Sequence, residues 1–268
     1  MFIVIMAHPI YKISCKDIAS LDDADCTGQF YNCYRSVKFL YICNNKSKDL
    51  VVPFHAALSK TETSPTGLTN LPVFPDYRNK IHNILSISDR LLEDNIEMRM
   101  SWFSSSKSCD YIQIYKEIMQ FFIGHHKNIV FKGSSAGGFP SLYFAIYFKQ
   151  VALVFNPQLY LPLFPYYKQF LEMVGEKSDN TIEQLCTQYG HPKHAYIYIN
   201  KRDVIHYTDH IVKFQNYVAI NNLEKYFTFI EFYGEDAISP AVDHNIIYPE
   251  SFNLNLKLTE IFDILKNI

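Results

Sequence analysis

The feature that most constrains this chain is the pentapeptide Gly-Ser-Ser-Ala-Gly at residues 133–137. An apolar run typical of a buried strand precedes it, Ile129 to Phe131, and an apolar run typical of a buried helix follows it, Phe139 to Phe148. The pentapeptide matches the pattern G-x-S-x-G with Ser135 at the centre. Between a strand and a helix, this pattern predicts a nucleophile elbow, a tight turn that presents a serine hydroxyl.

Glycine usage supports this interpretation over an ordinary Ser/Gly turn. The chain has only 9 glycines in 268 residues, so a chance match to a motif with two of them is rare. Glycines on both sides of the serine allow the strand and helix backbones to approach without a Cβ clash. The helix N-terminus behind the serine favours negative charge, which suits a developing oxyanion.

A length of 268 residues favours one large α/β domain over two small ones, and with 48% apolar and 16% aromatic residues the chain can form a core. The net charge of −2, without long runs of like charge, argues against nucleic acid or an anionic membrane as the main partner. No run of 18 apolar residues exists, so no transmembrane segment is predicted. Residues 1–7 lack a basic region and are predicted to form a first strand instead of a signal peptide.

Cysteines and carboxylates give no metal-binding pattern, and no metal is predicted. The six cysteines, none in C-x-x-C spacing, favour reduced thiols in a cytoplasmic protein; a disulfide among the first four stays open. Their positions are 15, 26, 33, 43, 109 and 186. The acidic cluster Asp22, Asp23 and Asp25 is interpreted as a solvated loop instead of a cation site.

Short apolar strands alternate with helical segments along the chain, which predicts a mostly parallel sheet covered by helices on both faces. We expect a hairpin-type turn at 44–48, between strands at 37–43 and 50–54, and a helix capped by Asp110. A final helix from about residue 252 should bury Leu256, Ile261 and Leu265. Residues 159–192 are predicted to form a cap insertion in a single 1–268 domain, with ordinary core or a dimer surface as alternatives.

Three side chains in chain order then suggest a catalytic triad, Ser135, Asp203 and His244, each following a predicted strand. This Ser, Asp, His order is the one expected of the α/β-hydrolase fold. A serine hydroxyl needs a histidine to take its proton, and a carboxylate holds that histidine in the correct tautomer.

Each triad position has competitors in the sequence. Asp209 and Asp236 compete with Asp203, but Asp209 falls inside a helical pattern. His206 and His210 compete with His244, but both lie on or beside the helix that follows Asp203, where a surface or core role is commoner.

The remaining site predictions concern the oxyanion and the substrate. We expect one oxyanion-hole N–H from Ala136 and a second from Ala56 or Ala57, in the loop after an earlier strand. Substrate contacts are assigned to His55, Gln158 and Tyr160; for His55, orienting the loop and a purely structural role stay open.

Several motifs together resemble a known group of proteins. They are Phe54-His55-Ala56-Ala57, a strand ending at Asp89, Ser101-Trp102-Phe103, the glycine-rich turn 133–138 and Asn156-Pro157-Gln158. This set resembles bacterial α/β-hydrolase-fold proteins of surface-polysaccharide and glycosylation loci. It is similar, more distantly, to capsule O-acetyltransferases and the accessory Sec system acetyltransferase. The relatives often carry His-Gly-Ala where this chain has His-Ala-Ala.

The resemblance implies an enzyme that passes an acyl group through Ser135 without a bound cofactor. Acetyl-CoA is a possible donor, and a sugar hydroxyl or water the acceptor, so the activity would be O-acyltransferase or esterase on a carbohydrate or other acyl ester. The alternative is a non-catalytic protein of the same fold that binds a glycan or an assembly partner. An oligomer is compatible with either.

Overall fold

The structure is a computed structural model that describes residues 10–12, 28–44, 47–58, 82–94, 98–175, 181–233, 248–249 and 252–267. Nine strands lie within these residues: β1 Ile10–Lys12, β2 Gly28–Tyr34, β3 Val37–Cys43, β4 Asp49–Phe54, β5 Asn83–Ile87, β6 Asn128–Ser134, β7 Val151–Phe155, β8 His194–Asn200 and β9 Phe227–Phe232. The helices are α1 Arg90–Asp94, α2 Tyr111–His125, α3 Gly138–Phe148, α4 Tyr167–Val174, α5 Ile182–Tyr189, α6 Val204–His206, α7 Lys213–Ile220 and α8 Leu254–Lys266. Short 3₁₀ turns span Ser135–Gly137, Leu161–Leu163 and Glu224–Tyr226, and a π-helical segment, Tyr207–Val212, joins α6 to α7.

All nine strands form one sheet in the order β1-β2-β3-β5-β4-β6-β7-β8-β9. Pairing is parallel from β5 through β9, and antiparallel where β3 meets β2 and β5. The predicted mostly parallel sheet is therefore confirmed. Because the parallel strands share a direction, the residues after β4, β6, β7 and β8 all leave from the same edge. That edge carries the candidate site.

The predicted hairpin between β3 and β4 is wrong. β5 lies between these two strands, and the antiparallel hairpin is instead β2–β3, whose turn residues Arg35 and Ser36 have φ of 45° and 70°. The link from β3 to β4 passes the start of β5, where the Asn83 side chain forms hydrogen bonds with backbone groups of the link. The Asn83 side chain accepts from Asn44 N–H at 2.6 Å and donates to the Ser47 carbonyl at 2.8 Å. A short polar link thus had two possible topologies, and long-range pairing selected the crossover.

Helix α8 covers one face of the sheet, where Leu254, Leu258 and Phe262 pack on apolar residues of β4, β6 and β7. The prediction that Leu256 faces the core is wrong, since this side chain is 60% exposed. Leu254, Leu258, Ile261 and Leu265 keep the helical spacing of the buried face. Leu256 lies about 200° around the helix from Leu254, which turns it to solvent.

The other face is covered by α2 and α3, which pack in the main core. Asp110 caps α2 as predicted, because its carboxylate accepts a hydrogen bond from Gln113 N–H. The described part of the segment 159–192 adds apolar residues to this same core: Leu159, Leu161, Phe170, Ile182, Leu185 and Cys186. Its role as a cap stays a prediction.

The described residues bear only in part on the predictions about membrane spans, metal sites, cysteines and the first strand. The described helices include none long and apolar enough to cross a bilayer. Within the same residues, no group of three His, Cys, Asp or Glu side chains is arranged to hold a metal ion. Burial raises the pKa of the Cys186 thiol to about 12, so it is not a reactive thiolate at neutral pH. The predicted first strand, Cys15, Cys26 and the acidic cluster 22–25 lie outside the described residues.

Candidate active site

The strand–turn–helix expected around Ser135 is present. β6 ends at Ser134, Ser135 begins a single 3₁₀ turn, and α3 starts at Gly138. Ser135 has φ of 51°, in the left-handed region that residues with a Cβ seldom occupy. Such strain persists only where the surrounding structure imposes it, and it is concentrated at functional sites.

Three glycines allow this turn to be so tight. A Cβ on Gly133 would lie 2.1 Å from the carbonyl oxygen of Gly137 and 2.5 Å from Ser141 Oγ. A Cβ on Gly137 would lie 2.5 Å from the carbonyl oxygen of Phe54, at the end of β4. One on Gly138 would lie 2.4 Å from Pro157 Cβ. The elbow therefore contacts β4 and the turn after β7 directly through backbone.

We expect Gly133→Ala to lower the free energy of unfolding by about 3 kcal/mol or more, because the new methyl group meets rigid backbone. The matched control is Gly124→Ala in α2, where a Cβ would have nothing within 4 Å. That variant should stay within about 1 kcal/mol of wild type or be slightly more stable. Urea unfolding measures both; equal midpoints for the two variants would contradict the described elbow.

The loop after β4 lies against the elbow, as an oxyanion loop should. The carbonyl oxygens of Phe54 and His55 are the groups that a Cβ on Gly137 would meet. His55 Nδ1 lies 2.7 Å from the carbonyl oxygen of Ala56. A carbonyl only accepts, so Nδ1 carries a proton and donates it. Ala56 and Ala57 are half-buried, and Ala136 is buried. Their N–H groups remain predicted oxyanion donors.

Asp203 leaves the same edge of the sheet, directly after β8, and is 4% exposed. Its carboxylate caps α6 and lies 3.0 Å from His206 Nδ1, an ion pair when His206 is protonated. The structure thus gives Asp203 a histidine neighbour that sequence reasoning assigned to a surface or core role. His244, the predicted base, and the competitor Asp236 lie outside the described residues.

The other competing histidine, His210, has a role in the core. It is buried in the π-helical segment, and its Nδ1 accepts hydrogen bonds from the backbone N–H groups of Leu159 and Tyr160, both at 3.2 Å. The Tyr160 hydroxyl donates to Glu183 on α5, and burial together with this carboxylate raises the pKa of Tyr160. Tyr160 is therefore a neutral donor engaged within the protein, and its substrate contact stays a prediction.

The turn Asn156-Pro157-Gln158, after β7, joins the two candidate catalytic loops. Asn156 is fully buried with φ of 41°, and its Oδ1 accepts from the N–H of Asn200 at 2.8 Å. The carbonyl of Asn200 in turn accepts from the N–H of Asp203 at 3.0 Å. On the other side, the N–H of Gln158 donates to the carbonyl of Ser135 at 3.0 Å. Sequence reasoning marked this turn only as a motif and as one substrate contact, Gln158.

A second buried network, missed from sequence, surrounds Asp89 at the end of β5. Asp89 is fully buried; its carboxylate accepts from Ser101 Oγ at 2.5 Å and from Phe103 N–H at 3.1 Å. Burial raises the pKa of Asp89, and the nearby His55 and these hydrogen bonds oppose that shift. Trp102 and Phe103 have φ of 50° and 54°, two successive left-handed residues without glycine. The motif Ser101-Trp102-Phe103 is the one signal in the sequence that could have indicated this buried network.

Strand order, crossover and elbow together define the α/β-hydrolase fold, so the predicted fold class is confirmed. No protein-family model matches the chain, and no curated protein matches it.

Solved structures with this fold do match the chain. The capsule O-acetyltransferase of Neisseria meningitidis serogroup A is 14% identical with a TM-score of 0.55, over 91% of this chain and 97% of that one. An S-formylglutathione hydrolase from Agrobacterium tumefaciens is 11% identical with a TM-score of 0.60, over 89% and 95%. A putative carboxylesterase from Lactobacillus plantarum is 11% identical with a TM-score of 0.53, over 89% and 96%. At such identities the likeness is one of fold.

Proposed function

We propose that this protein is a serine-nucleophile acyl enzyme that transfers or hydrolyses ester-linked acyl groups. The observation that carries the proposal is Ser135, a non-glycine residue held at φ of 51° in an elbow at the carboxyl edge of the sheet. Asp203 leaves the same edge two strands away. Ser135 is the nucleophile, His244 the base and Asp203 the carboxylate that orients the base.

In the proposed reaction, Ser135 Oγ attacks the acyl carbonyl while His244 accepts the hydroxyl proton. The N–H groups of Ala136 and of Ala56 or Ala57 stabilise the oxyanion. When the tetrahedral intermediate collapses, the bond to the leaving thiol or alcohol breaks, and His244 returns the proton to that group. A second hydroxyl, from a sugar or from water, then attacks the acyl-serine with His244 again as base, and Ser135 is regenerated.

For the substrate, we propose O-acetyl groups on a carbohydrate, with acetyl-CoA as a donor. The structural similarity to a capsule O-acetyltransferase supports this choice. Aromatic residues follow the turn after β7, among them Phe164, half-buried, and Tyr166, 60% exposed. Aromatic rings at the edge of a site suit sugar rings and also exclude water from an acyl-enzyme. The esterases among the similar structures support hydrolysis as the related outcome.

The test of this proposal is covalent labelling with an alkyl fluorophosphonate, followed by peptide mass analysis. We expect one adduct per chain on the peptide that contains Ser135, and slower labelling in the presence of an acetyl ester. Acetyl-CoA is then supplied with acetylatable polysaccharides, and acetate release is scored against acetyl transfer. Folded protein that is neither labelled nor acetylated would refute the acyl-enzyme proposal; labelling with acetate release alone would leave hydrolysis as the activity.

A further inference from the structure

Trp102, the only tryptophan of the chain, is connected to the elbow by two consecutive hydrogen bonds. Its indole Nε1–H donates to Gln158 Oε1 at 2.8 Å, and the backbone N–H of Gln158 donates to the carbonyl of Ser135 at 3.0 Å. Both side chains are buried, Trp102 at 4% and Gln158 at 3% exposure. Water therefore does not readily replace either bond.

The position of the indole is itself fixed on its other side. Trp102 lies between two residues that bond to the buried Asp89, Ser101 through its hydroxyl and Phe103 through its N–H. The two successive left-handed conformations, at Trp102 and Phe103, form the turn that lets both bonds reach one carboxylate. Strained backbone of this kind persists where surrounding contacts impose it.

Aromatic packing holds the indole plane in addition. The Trp102 ring lies edge-on to Phe170, with centroids 4.8 Å apart, and to Phe164, with centroids 5.6 Å apart. Phe170 is fully buried on α4. The indole thus has packing partners after β7 and a hydrogen-bond partner in the turn that supports Ser135.

We propose that Trp102 is a positioning residue for Ser135. Its N–H fixes the Gln158 side chain, which holds the Gln158 backbone where it supports the Ser135 carbonyl and so the left-handed elbow. The inference rests on the proposed function for its effect on rate, but the positioning itself is independent of catalysis. A displaced serine would react more slowly because reaction rates fall steeply with misplacement of the attacking atom.

Two variants remove the Trp102–Gln158 bond: Trp102→Phe keeps an aromatic ring without the N–H, and Gln158→Met keeps the length without the acceptor. The control is Tyr41→Phe, which removes a buried hydroxyl that lies 3.0 Å from His126 Nε2 and 3.3 Å from Asn83 Oδ1, far in sequence from the elbow. Hydrogen exchange of the Gln158 backbone amide directly measures how firmly this N–H is held on the Ser135 carbonyl. We expect Trp102→Phe to speed that exchange about tenfold relative to Tyr41→Phe.

The second readout is the rate constant of fluorophosphonate labelling at Ser135. Trp102→Phe should lower it about tenfold or more, with little change in KM for an acetyl ester, because only the geometry of attack changes. In a Gln158→Met background, Trp102→Phe should cause no further loss. Tyr41→Phe should label like wild type.

The outcomes separate the two proposals. Unchanged Gln158 exchange in Trp102→Phe, or faster exchange with an unchanged labelling rate, would overturn the positioning role. Additive losses in the double variant would do so too, since the two changes would then act independently. If wild-type protein is not labelled, the proposed function fails at Ser135, and the exchange measurement alone decides whether Trp102 positions the elbow.

Discussion

Replacing Ser135 with alanine should lower the rate of acetyl-ester hydrolysis by about six orders of magnitude, which is below detection in an ordinary assay. In the proposed mechanism the Ser135 hydroxyl oxygen forms the acyl-enzyme, so its removal abolishes the covalent step. Stability should change little, because alanine keeps the Cβ that the left-handed turn at φ of 51° already accommodates. Steady-state hydrolysis and thermal unfolding of the same preparation measure the two effects.

The matched control is Ser134→Ala, one residue earlier in the same motif. Ser134 is the last residue of β6 and pairs across the sheet with Phe155, so its backbone belongs to the strand and not to the turn. This variant should retain most of the activity. Loss of activity in Ser134→Ala with survival in Ser135→Ala would reassign the nucleophile and contradict the elbow mechanism.

Local sequence signals were sufficient to predict many elements of the fold. Strand β7 is a fully apolar run of five residues, Val151–Phe155, and such a run between helices has few alternatives to a buried strand. The carboxylate of Asp110 indicated the start of α2, because a cap acts within one turn. The buried residues of α2, among them Ile114, Tyr115 and Ile118, keep the 3.6-residue periodicity that a sequence displays directly.

Pairing between distant segments was not predictable in the same way. The link 44–48 is polar and short, which fits either a hairpin or a crossover past another strand; the pairing of β5, which starts only at Asn83, decided between them. Strand pairing of this kind depends on tertiary contacts, which override residue-level preference. Leu256 is a different case, because the helical spacing of Leu254, Leu258 and Ile261 already puts it off the buried face of α8.

In the candidate site, too, local features are predictable from the sequence and long-range contacts are not. The close backbone approach at residues 133 and 137 can be predicted from the sequence, because both are glycines and a Cβ at either would collide with backbone. The supports of Ser135 cannot: Trp102 donates to Gln158, 56 residues further along the chain, and Asp89 accepts from the N–H of Phe103, 14 residues further on. Whether a polar side chain is buried and hydrogen-bonded can be determined only when the positions of its partners are known.

Asp203→Asn should lower kcat for an acetyl ester by about four orders of magnitude with little change in KM. The amide keeps the shape of the carboxylate but removes its charge, so in the proposed mechanism His244 loses the group that fixes its tautomer and stabilises its protonated form. Asparagine is chosen because Asp203 also caps α6 through its Oδ1, and an asparagine oxygen caps as well. Urea unfolding should therefore show nearly wild-type stability.

Histidine substitutions complete this prediction, since the described contact of Asp203 is with His206 at 3.0 Å, whereas the proposed base is His244. His244→Gln should match the loss seen in Asp203→Asn, and the double variant should lose little more, because members of a triad act as a unit. His206→Gln should cost about tenfold at most, because His206 would only help to hold the Asp203 carboxylate in place. The reverse pattern, a severe loss in His206→Gln with His244→Gln nearly active, would make His206 the base and Asp203–His206 the working pair.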